Sequence, residues 1–288
     1  MRRVALIGAG GMLGRDLRNR LEGSYLCLPV AGRKDLDITR REEVLEWIGK
    51  ARPDLLINAA AYTDVDGCES HRERAMAVNG EAPGNLAAGC AEVGARMIQI
   101  STDFVFDGTR EGACREEDPT APLSVYGLSK LSGEEHVARN LEDHLIVRTS
   151  WLYGAGGRNF VEAILAQAEK GGPLRVVRDQ VGSPTYVPDL SGALLRLLPL
   201  DVRGIVHVSN SGSCSWYDFA RKILALAGFR DVPIEPIPSE SLDRPARRPA
   251  NSLLSCERYR RITGEDLRSW EDGLKNYLDE RGGGDGSK

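Results

Sequence analysis

Histidine is scarce in this 288-residue chain, four in all, and its six cysteines include no Cys-x-x-Cys pair. Scattered at positions 27, 68, 90, 114, 214 and 256, the cysteines read as free thiols, not as a disulfide framework or zinc site. The dispersed histidines argue equally against a His-based metal centre, and no metal is expected. No apolar run approaches the length that spans a bilayer, so no membrane association is expected. Basic charge is not in excess either. With 38 Lys and Arg against 42 Asp and Glu, the net charge of −4 excludes nucleic-acid binding as the main task. The N-terminus enters a strand-like run at once, without the apolar region of a secretory leader, and the cytoplasm is the expected compartment.

What is present reads as an ordinary globular chain, 41% hydrophobic and 28% charged. Its length suits one large domain or two modest ones. Through the first half, short apolar runs alternate with helical stretches. Strands are predicted at Val4–Ile7, Tyr25–Val30, Leu55–Asn58, Met97–Ser101 and Leu145–Thr149, and helices at Met12–Leu21, Arg40–Lys50, Arg72–Gly94 and Ser124–Asn140. This alternation means an α/β fold, a doubly wound, Rossmann-like parallel sheet covered on both faces. Ligand chemistry then belongs at the carboxyl ends of the strands, where Gly8, Asn58–Ala61, Ser101–Asp103 and Thr149–Trp151 fall. After Trp151 the alternation loosens. Helices are predicted at Asn159–Lys170, Asp189–Leu198, Ser215–Ala227 and Ser269–Asp279, strands at Leu174–Val177 and Ile205–Val208, and a proline-rich extended stretch at Val232–Pro249. The expected organisation is a dinucleotide-binding domain over 1–150, with 179–200 returning to it, and a smaller α/β substrate-binding lobe. That lobe would come mainly from the C-terminal half, 151–178 and 201–281, with 282–288 a disordered tail.

Two groups of residues carry chemistry. The run Arg3–Ile7 leads into Gly8-Ala9-Gly10-Gly11-Met12-Leu13-Gly14 and then a helical pattern. Strand, glycine turn and helix are the context of a dinucleotide-binding fingerprint. The glycines permit a tight turn and close backbone approach, and the helix N-terminus holds the pyrophosphate. The second strand ends Val30-Ala31-Gly32-Arg33, with no carboxylate until Asp35. An acidic residue there would select a free ribose 2′-OH, whereas Arg33 can pair a 2′-phosphate. NADPH is therefore the expected cofactor, with NADH use left open. Farther on, Ser101-Thr102-Asp103 closes an apolar run, and Tyr126 and Lys130 share one helix face four residues apart. A phenol titrates near pH ~10, too high for acid–base work at neutrality, and a fixed ammonium beside it favours the phenolate. The pair suits proton transfer at a sugar or steroid oxygen while a hydride moves.

The ordered set Gly8-x-x-Gly11-x-x-Gly14, Asn58-Ala59-Ala60-Ala61-Tyr62-Thr63, Ser101-Thr102-Asp103-Phe104-Val105-Phe106-Asp107-Gly108 and Tyr126-x-x-x-Lys130 resembles the extended short-chain dehydrogenase/reductase superfamily. Within it, Arg148–Tyr153, Asp179–Thr185 and Pro245–Ser252 are similar to stretches of the dTDP-4-dehydrorhamnose reductase family, and the match covers essentially the whole chain. The resemblance implies an NAD(P)H-dependent oxidoreductase that reduces the C4 ketone of dTDP-4-dehydro-L-rhamnose to dTDP-L-rhamnose. It makes Tyr126 the proton donor, Lys130 the partner of the nicotinamide ribose, and Thr102 a hydrogen-bond donor to the carbonyl. Asp103 would position the sugar and Trp151 would pack against it. Arg247 and Arg248 suit a diphosphate clamp, because guanidinium forks match phosphate oxygens, and Asn159, Gln180 and Asn251 are further polar candidates for sugar or base. For the cofactor, the resemblance implies Gly8, Gly11, Met12, Leu13 and Gly14 at the pyrophosphate and Asp37 and Ile38 at adenine. Arg33, Ala60, Ala61, Tyr62, Thr63, Ile100, Tyr126 and Lys130 would line the rest of its path.

Departures from related patterns narrow the reading. Sugar-nucleotide 4,6-dehydratases resemble this scaffold but carry Thr-Asp-Glu after the fourth strand, where two acids serve the elimination of water. Here Phe104 follows Asp103, the second acid is missing, and reduction is favoured. Some similar bacterial proteins dimerise through a metal held by acidic side chains. Asp16 and Glu280 match two such positions, but the third falls at or beside Pro188, whose side chain cannot ligate. A monomer or a homodimer is expected, without a metal. The rival from another class is a non-catalytic NADP-binding regulatory subunit, like the methionine adenosyltransferase β subunit that resembles this family. The intact Thr102, Tyr126 and Lys130 and the Arg247-Arg248 loop favour the enzyme.

Overall fold

The apolar runs of the first half become strands of one parallel sheet in the computed structural model, which describes residues 1–283. In chain order the elements are β1 (Arg3–Ile7), α1 (Met12–Leu21), β2 (Leu26–Val30), α2 (Arg41–Ala51), β3 (Leu55–Asn58), α3 (Val65–Ser70), α4 (Arg72–Ala75), α5 (Ala82–Val93), β4 (Arg96–Thr102), α6 (Val125–Asn140) and β5 (His144–Thr149). There follow β6 (Leu152–Tyr153), α7 (Phe160–Lys170), β7 (Leu174–Val177), β8 (Val181–Gly182), β9 (Thr185–Tyr186), α8 (Val187–Leu197), β10 (Gly204–His207), β11 (Cys214–Ser215), α9 (Trp216–Leu226), β12 (Ile234–Ile237), α10 (Glu257–Thr263) and α11 (Trp270–Gly283). Residues 284–288, most of the tail predicted to be disordered, lie outside the described residues, and α11 carries Gly282 and Gly283.

Six strands pair in the order β10-β5-β4-β3-β1-β2, all parallel. Parallel strands buried on both faces need apolar cover on each side. Leu13, Leu17 and Leu21 of α1 pack with Leu190, Leu194 and Leu197 of α8 on one face. Val44 and Ile48 of α2, Leu86 of α5 and Val137 of α6 cover the other. The register pairs Ile7 with Asn58, Thr102 with Thr149 and Arg148 with His207, so the carboxyl ends share one edge. Between β1 and β3 the winding reverses, and at such a switch point a crevice opens for ligands.

Two features depart from the sequence expectation. The stretch 201–210 had been placed in the second lobe, yet β10 pairs with β5 and Val206 and Val208 are buried in the sheet core. Tyr259 of α10 packs into that same core. The second lobe keeps its own core, with Tyr153, Ile164, Leu174, Phe219, Trp270 and Tyr277, and a parallel β7–β12 pair. The helix predicted over Arg72–Gly94 runs on from Arg72 to Val93 but widens into a π-helical turn at Met76–Glu81, between α4 and α5. Pro83 lies just past that turn. The wider turn aims buried Asn79 at the loop after β3. Its Oδ1 accepts from the Tyr62 N–H at 2.8 Å, while its Nδ2 donates to the Tyr62 carbonyl at 3.0 Å and to Ser129 Oγ at 3.1 Å. A π-turn at a functional loop is a recurrent use of this rare conformation.

Candidate active site

A cleft of about 800 Å³ runs along the carboxyl edge of the sheet, between the two cores. At one end the glycine turn forms a cradle. Gly8 has φ +80°, a left-handed conformation that suits glycine, and a Cβ there would stand 2.6 Å from the Ala60 nitrogen. A Cβ on Gly14 would stand 2.1 Å from the Gly8 carbonyl oxygen. Gly11 caps α1 with no side-chain hydrogen bond and faces the open cleft with Met12, Leu13 and Gly14. The first N–H groups of α1 therefore have no intrahelical partner, as an anion site at a helix N-terminus requires. On the far side of the switch point, Asn58 Oδ1 accepts from the Ala60 N–H at 3.1 Å, shaping the turn that brings Ala60, Ala61 and Thr63 to the cleft wall. These residues fit a dinucleotide: the backbone approach is free of side chains exactly where a pyrophosphate needs it.

Where adenine is expected, around Arg33, Asp37 and Ile38, short contacts organise the chain outside the cleft lining. Asp35 Oδ2 accepts from the Ala31 and Gly32 N–H groups at 2.9 and 3.1 Å, so its carboxylate folds back onto the turn after β2. Arg33 is exposed and pairs with Asp37 at 2.8 Å. Hydrogen bonds from Thr39, with Arg33 adding to them, hold the Asp37 carboxyl below its ordinary range. Ile38 is buried beside this pair, and the Arg74 guanidinium lies over the Tyr62 ring.

In the middle of the cleft, β4 and α6 converge. Ser124 caps α6 by accepting from the Gly127 N–H at 3.2 Å, and the first turns of the helix carry Tyr126 and Lys130 to the end of β4. Close approach is possible because Gly127 lies against the Phe104 carbonyl, where a Cβ would stand 2.2 Å away. Phe104 meets the Tyr126 ring edge-on at 5.5 Å. Thr102 Oγ1 donates to Asp103 Oδ1 at 2.9 Å and accepts from the Phe104 N–H at 3.2 Å. Among the described residues, Asp103 Oδ2 and Thr149 Oγ1 are buried without a hydrogen-bond partner, and both residues line the cleft. Two unpaired polar atoms facing one cavity are acceptor and donor capacity held for a ligand.

The electrostatics differ from the simple expectation for a Tyr–Lys pair. Burial raises the Tyr126 phenol above its ordinary range; the hydrogen bond with Thr102 opposes the rise and the Asp103 charge adds to it. Lys130 Nζ donates to the Ile100 carbonyl at 2.7 Å, and burial lowers its pKa to about 8 against the opposing charge of Glu134. The phenol is thus held protonated, the state a proton donor needs. Burial likewise pushes Asp103 up to about 6, with the nearby Ser252 hydroxyl and the Thr102 hydrogen bond working against it.

The second lobe closes the far end. Trp151 has φ +46°, a strained left-handed backbone for a non-glycine residue, and its indole lies on the Gly182 backbone. It stacks face to face on Trp216, with ring centroids 3.4 Å apart and planes 4° from parallel. Gln180 is buried and lines the cleft, as do Arg158, Arg175, Arg244 and Arg248. Arg248 is already committed: Nη1 and Nη2 donate to the two Asp66 carboxylate oxygens at 2.9 and 2.7 Å, and Nη1 to the Ala246 carbonyl. That pair ties the 242–250 loop to α3, and the Arg248 hydrogen bond holds Asp66 below its ordinary range.

Arg247, by contrast, is exposed and outside the cleft lining. Asn159 caps α7 and donates to the Gly154 and Gly157 carbonyls, and Asn251 donates to the Arg110 and Gly112 carbonyls, so both amides serve their own loops. Trp216, Arg244, Ser252 and Asp66 were not singled out from sequence. For Arg244 a signal existed, since it lies one residue before the Pro245–Ser252 motif. Of the acidic residues considered for a shared metal, Asp16 pairs with Arg20 at 2.6 Å and Glu280 accepts from the Tyr186 hydroxyl at 2.8 Å. Among the described residues no group of three or more His, Cys, Asp or Glu is placed to hold a metal ion.

A glycine cradle at the switch point of a parallel sheet, facing a Tyr-x-x-x-Lys helix, defines an extended short-chain dehydrogenase/reductase. The family described as RmlD substrate binding domain matches residues 1–282. The spore coat polysaccharide biosynthesis protein SpsK of Bacillus subtilis is 41% identical, over 98% of this chain and 98% of its own length. The dTDP-4-dehydrorhamnose reductase of Sinorhizobium fredii is 39% identical over 96% of each chain. The dTDP-4-dehydrorhamnose reductase of Bacillus anthracis, solved in complex with NADP, superposes with a TM-score of 0.93 at 39% identity, covering 97% of this chain and 99% of that one. The chain belongs to the RmlD substrate binding domain family.

Proposed function

We propose that this protein reduces the C4 ketone of dTDP-4-dehydro-L-rhamnose to dTDP-L-rhamnose with NADPH, in the cytoplasm, as a monomer or homodimer. The observation that carries the reading is one cleft lined by the glycine cradle, Thr102, Asp103, Tyr126 and Lys130, and a wall of tryptophan and arginine. Gly11, Met12, Leu13 and Gly14 would hold the cofactor's pyrophosphate, and Arg33, exposed and bonded through Nε to Asp37 while Asp35 folds back onto its own turn, would meet a 2′-phosphate. The bound cofactor supplies the hydride for C4. Tyr126 then gives its proton to the carbonyl oxygen as negative charge develops there, and Lys130 offsets the charge left on the phenolate. Thr102 polarises the same carbonyl, turning its hydroxyl from Asp103 to the substrate, while Asp103 accepts from a neighbouring sugar hydroxyl. The Trp151–Trp216 wall confines the deoxysugar, and Arg244 is the open guanidinium for its diphosphate. Without a second acid at Phe104, nothing assists the loss of water.

Incubation with the 4-keto sugar nucleotide and NADPH, followed by absorbance of the reduced nicotinamide, tests the reading. Tyr126→Phe should lower kcat by about 10²–10⁴-fold, the range for loss of a general acid, while NADPH binding persists. Cofactor binding by the parent protein without oxidation of NADPH in the presence of the sugar would overturn the reductase in favour of a regulatory subunit.

A further inference from the structure

Beneath the cleft lies a buried charged network that the proton transfer does not use. Arg148 is 2% exposed, Glu134 3%, Ser101 4% and His207 0%. Arg148 Nε and Nη2 donate to Glu134 Oε1 and Oε2 at 2.9 and 2.7 Å, and Ser101 Oγ donates to the same Oε1. Arg148 Nη1 lies 3.5 Å from His207 Nε2, and the guanidinium carbon lies 5.2 Å from the centre of the Phe106 ring. His207 Nδ1 in turn lies 3.2 Å from the Cys114 carbonyl oxygen, so the ring has one nitrogen to donate and one to accept. Burial and the Arg148 charge hold His207 neutral, with a pKa lowered to about 3.

Stability alone gives little reason to bury such a pair. Replacing a buried ion pair by apolar side chains of similar volume is often neutral or stabilising. Its placement does give a reason. Ser101 precedes Thr102 on β4, Arg148 precedes Thr149 on β5, and Glu134 lies one helical turn beyond Lys130 on α6. One hydrogen-bonded chain therefore crosses the three elements that carry the reacting groups, each time one step away from them.

We propose that Glu134, held by Arg148, is a positioning residue for the reaction: it fixes the α6 face carrying Lys130 against the β4 end carrying Thr102, and supplies the counter-charge that keeps the Lys130 ammonium. Tyr126 and Asp103 share the cleft lining with Lys130, and Glu134, one turn further along α6, is the charged group that raises the Lys130 pKa against burial. The proposal rests on the reductase reading, and its test separates the two.

With seven lysines in the chain, Lys130 can be followed by NMR of protein carrying ¹³Cε-lysine, without cofactor or substrate. In the parent it should titrate at about 8. In the double variant Glu134→Met/Arg148→Met it should titrate about one pH unit lower, while the melting temperature stays within a few degrees of the parent. Turnover per NADPH-binding site should then fall about threefold at pH 7.5 and about tenfold at pH 9, with the sugar-nucleotide KM unchanged. An unchanged Lys130 titration in the double variant, or in Glu134→Gln if the double variant does not fold, overturns the proposal. So does a loss of turnover that merely tracks the loss of NADPH-binding sites. A parent protein without turnover would remove the reductase reading, yet the NMR titration would still decide whether Glu134 sets the Lys130 charge.

Discussion

Replacing Asp103 with asparagine should make this protein more stable at neutral pH and nearly inactive. Asp103 is 1% exposed, and among the described residues its Oδ2 has no hydrogen-bond partner. Burial lifts its pKa from 3.8 to about 6. At ~1.4 kcal/mol per pH unit, the charged form carries a penalty of about 3 kcal/mol at pH 7. The sign follows from proton linkage: the folded state binds this proton more tightly than the unfolded chain does. The penalty is absent below about pH 4, where both states are protonated, grows as pH rises, and is complete somewhat above the folded pKa of about 6. An amide keeps the shape and can still accept from Thr102, but it buries no charge. Its own unmet hydrogen bonds cost about 1 kcal/mol, leaving a net gain of about 2 kcal/mol, or about 4–8 °C in melting temperature for a chain of this size.

The assay is thermal or urea unfolding of parent and Asp103→Asn from pH 4 to 7.5, with turnover measured alongside. The variant should gain on the parent steadily across that range. Turnover should fall about ten- to a hundredfold, because a hydrogen bond to a charged acceptor is lost. A variant no more stable than the parent at pH 7, or a stability difference that does not change with pH, would refute the assignment of a strained, desolvated carboxylate held for the sugar.

The parts of the site that were legible in the sequence are those whose geometry is local. The glycine turn is legible as strand, turn and helix because Gly8, Gly11 and Gly14 lie within one local unit. Tyr126 and Lys130 read correctly as neighbours because four residues make one helical turn. What failed was long-range. Nothing near Arg248 announces that Asp66 will neutralise it from 182 residues away, and the guanidinium expected to be open is the paired one. The strand β10 was recognised as a strand, but only its pairing with β5 assigns it to the main sheet. The apolar pattern of the Arg72–Gly94 stretch gave no sign of the π-turn, because a single inserted residue in a helix leaves the run of buried alanines intact. The Tyr126 pKa departs from expectation for a related reason. Spacing puts an ammonium on the same helix face, but it does not show the burial that raises the phenol, and Lys130 is not among the groups that shift it.

Four further substitutions test the geometry of the cleft. Gly14→Ala puts a Cβ 2.1 Å from the Gly8 carbonyl, forcing α1 off the turn. It should cost about 1–3 kcal/mol of stability and weaken NADPH binding at least about tenfold by isothermal titration, and unchanged affinity would show that α1 does not hold the pyrophosphate. Gly182→Ala puts a Cβ 2.4 Å from Trp151 Cε2 and should break the Trp151–Trp216 stack. The sugar-nucleotide KM should rise about tenfold with a change in tryptophan fluorescence, and a normal KM despite the fluorescence change would free the wall from any role in sugar binding. The last comparison sets Arg244→Ala against Arg247→Ala. Arg244 and Arg247 are both exposed, but Arg244 lines the cleft, where partial desolvation and the Arg248 charge lower its pKa, whereas Arg247 lies outside the lining. A charged hydrogen bond to phosphate is worth about 1.5–3 kcal/mol, so Arg244→Ala should raise KM by about ten- to a hundredfold at nearly constant kcat. Arg247→Ala should stay within about twofold, as solvated surface substitutions do. The reverse order would mean that the 242–250 loop turns over when the diphosphate binds. In that case the Asp66–Arg248 pair, not Arg244, would be the contact that has to break.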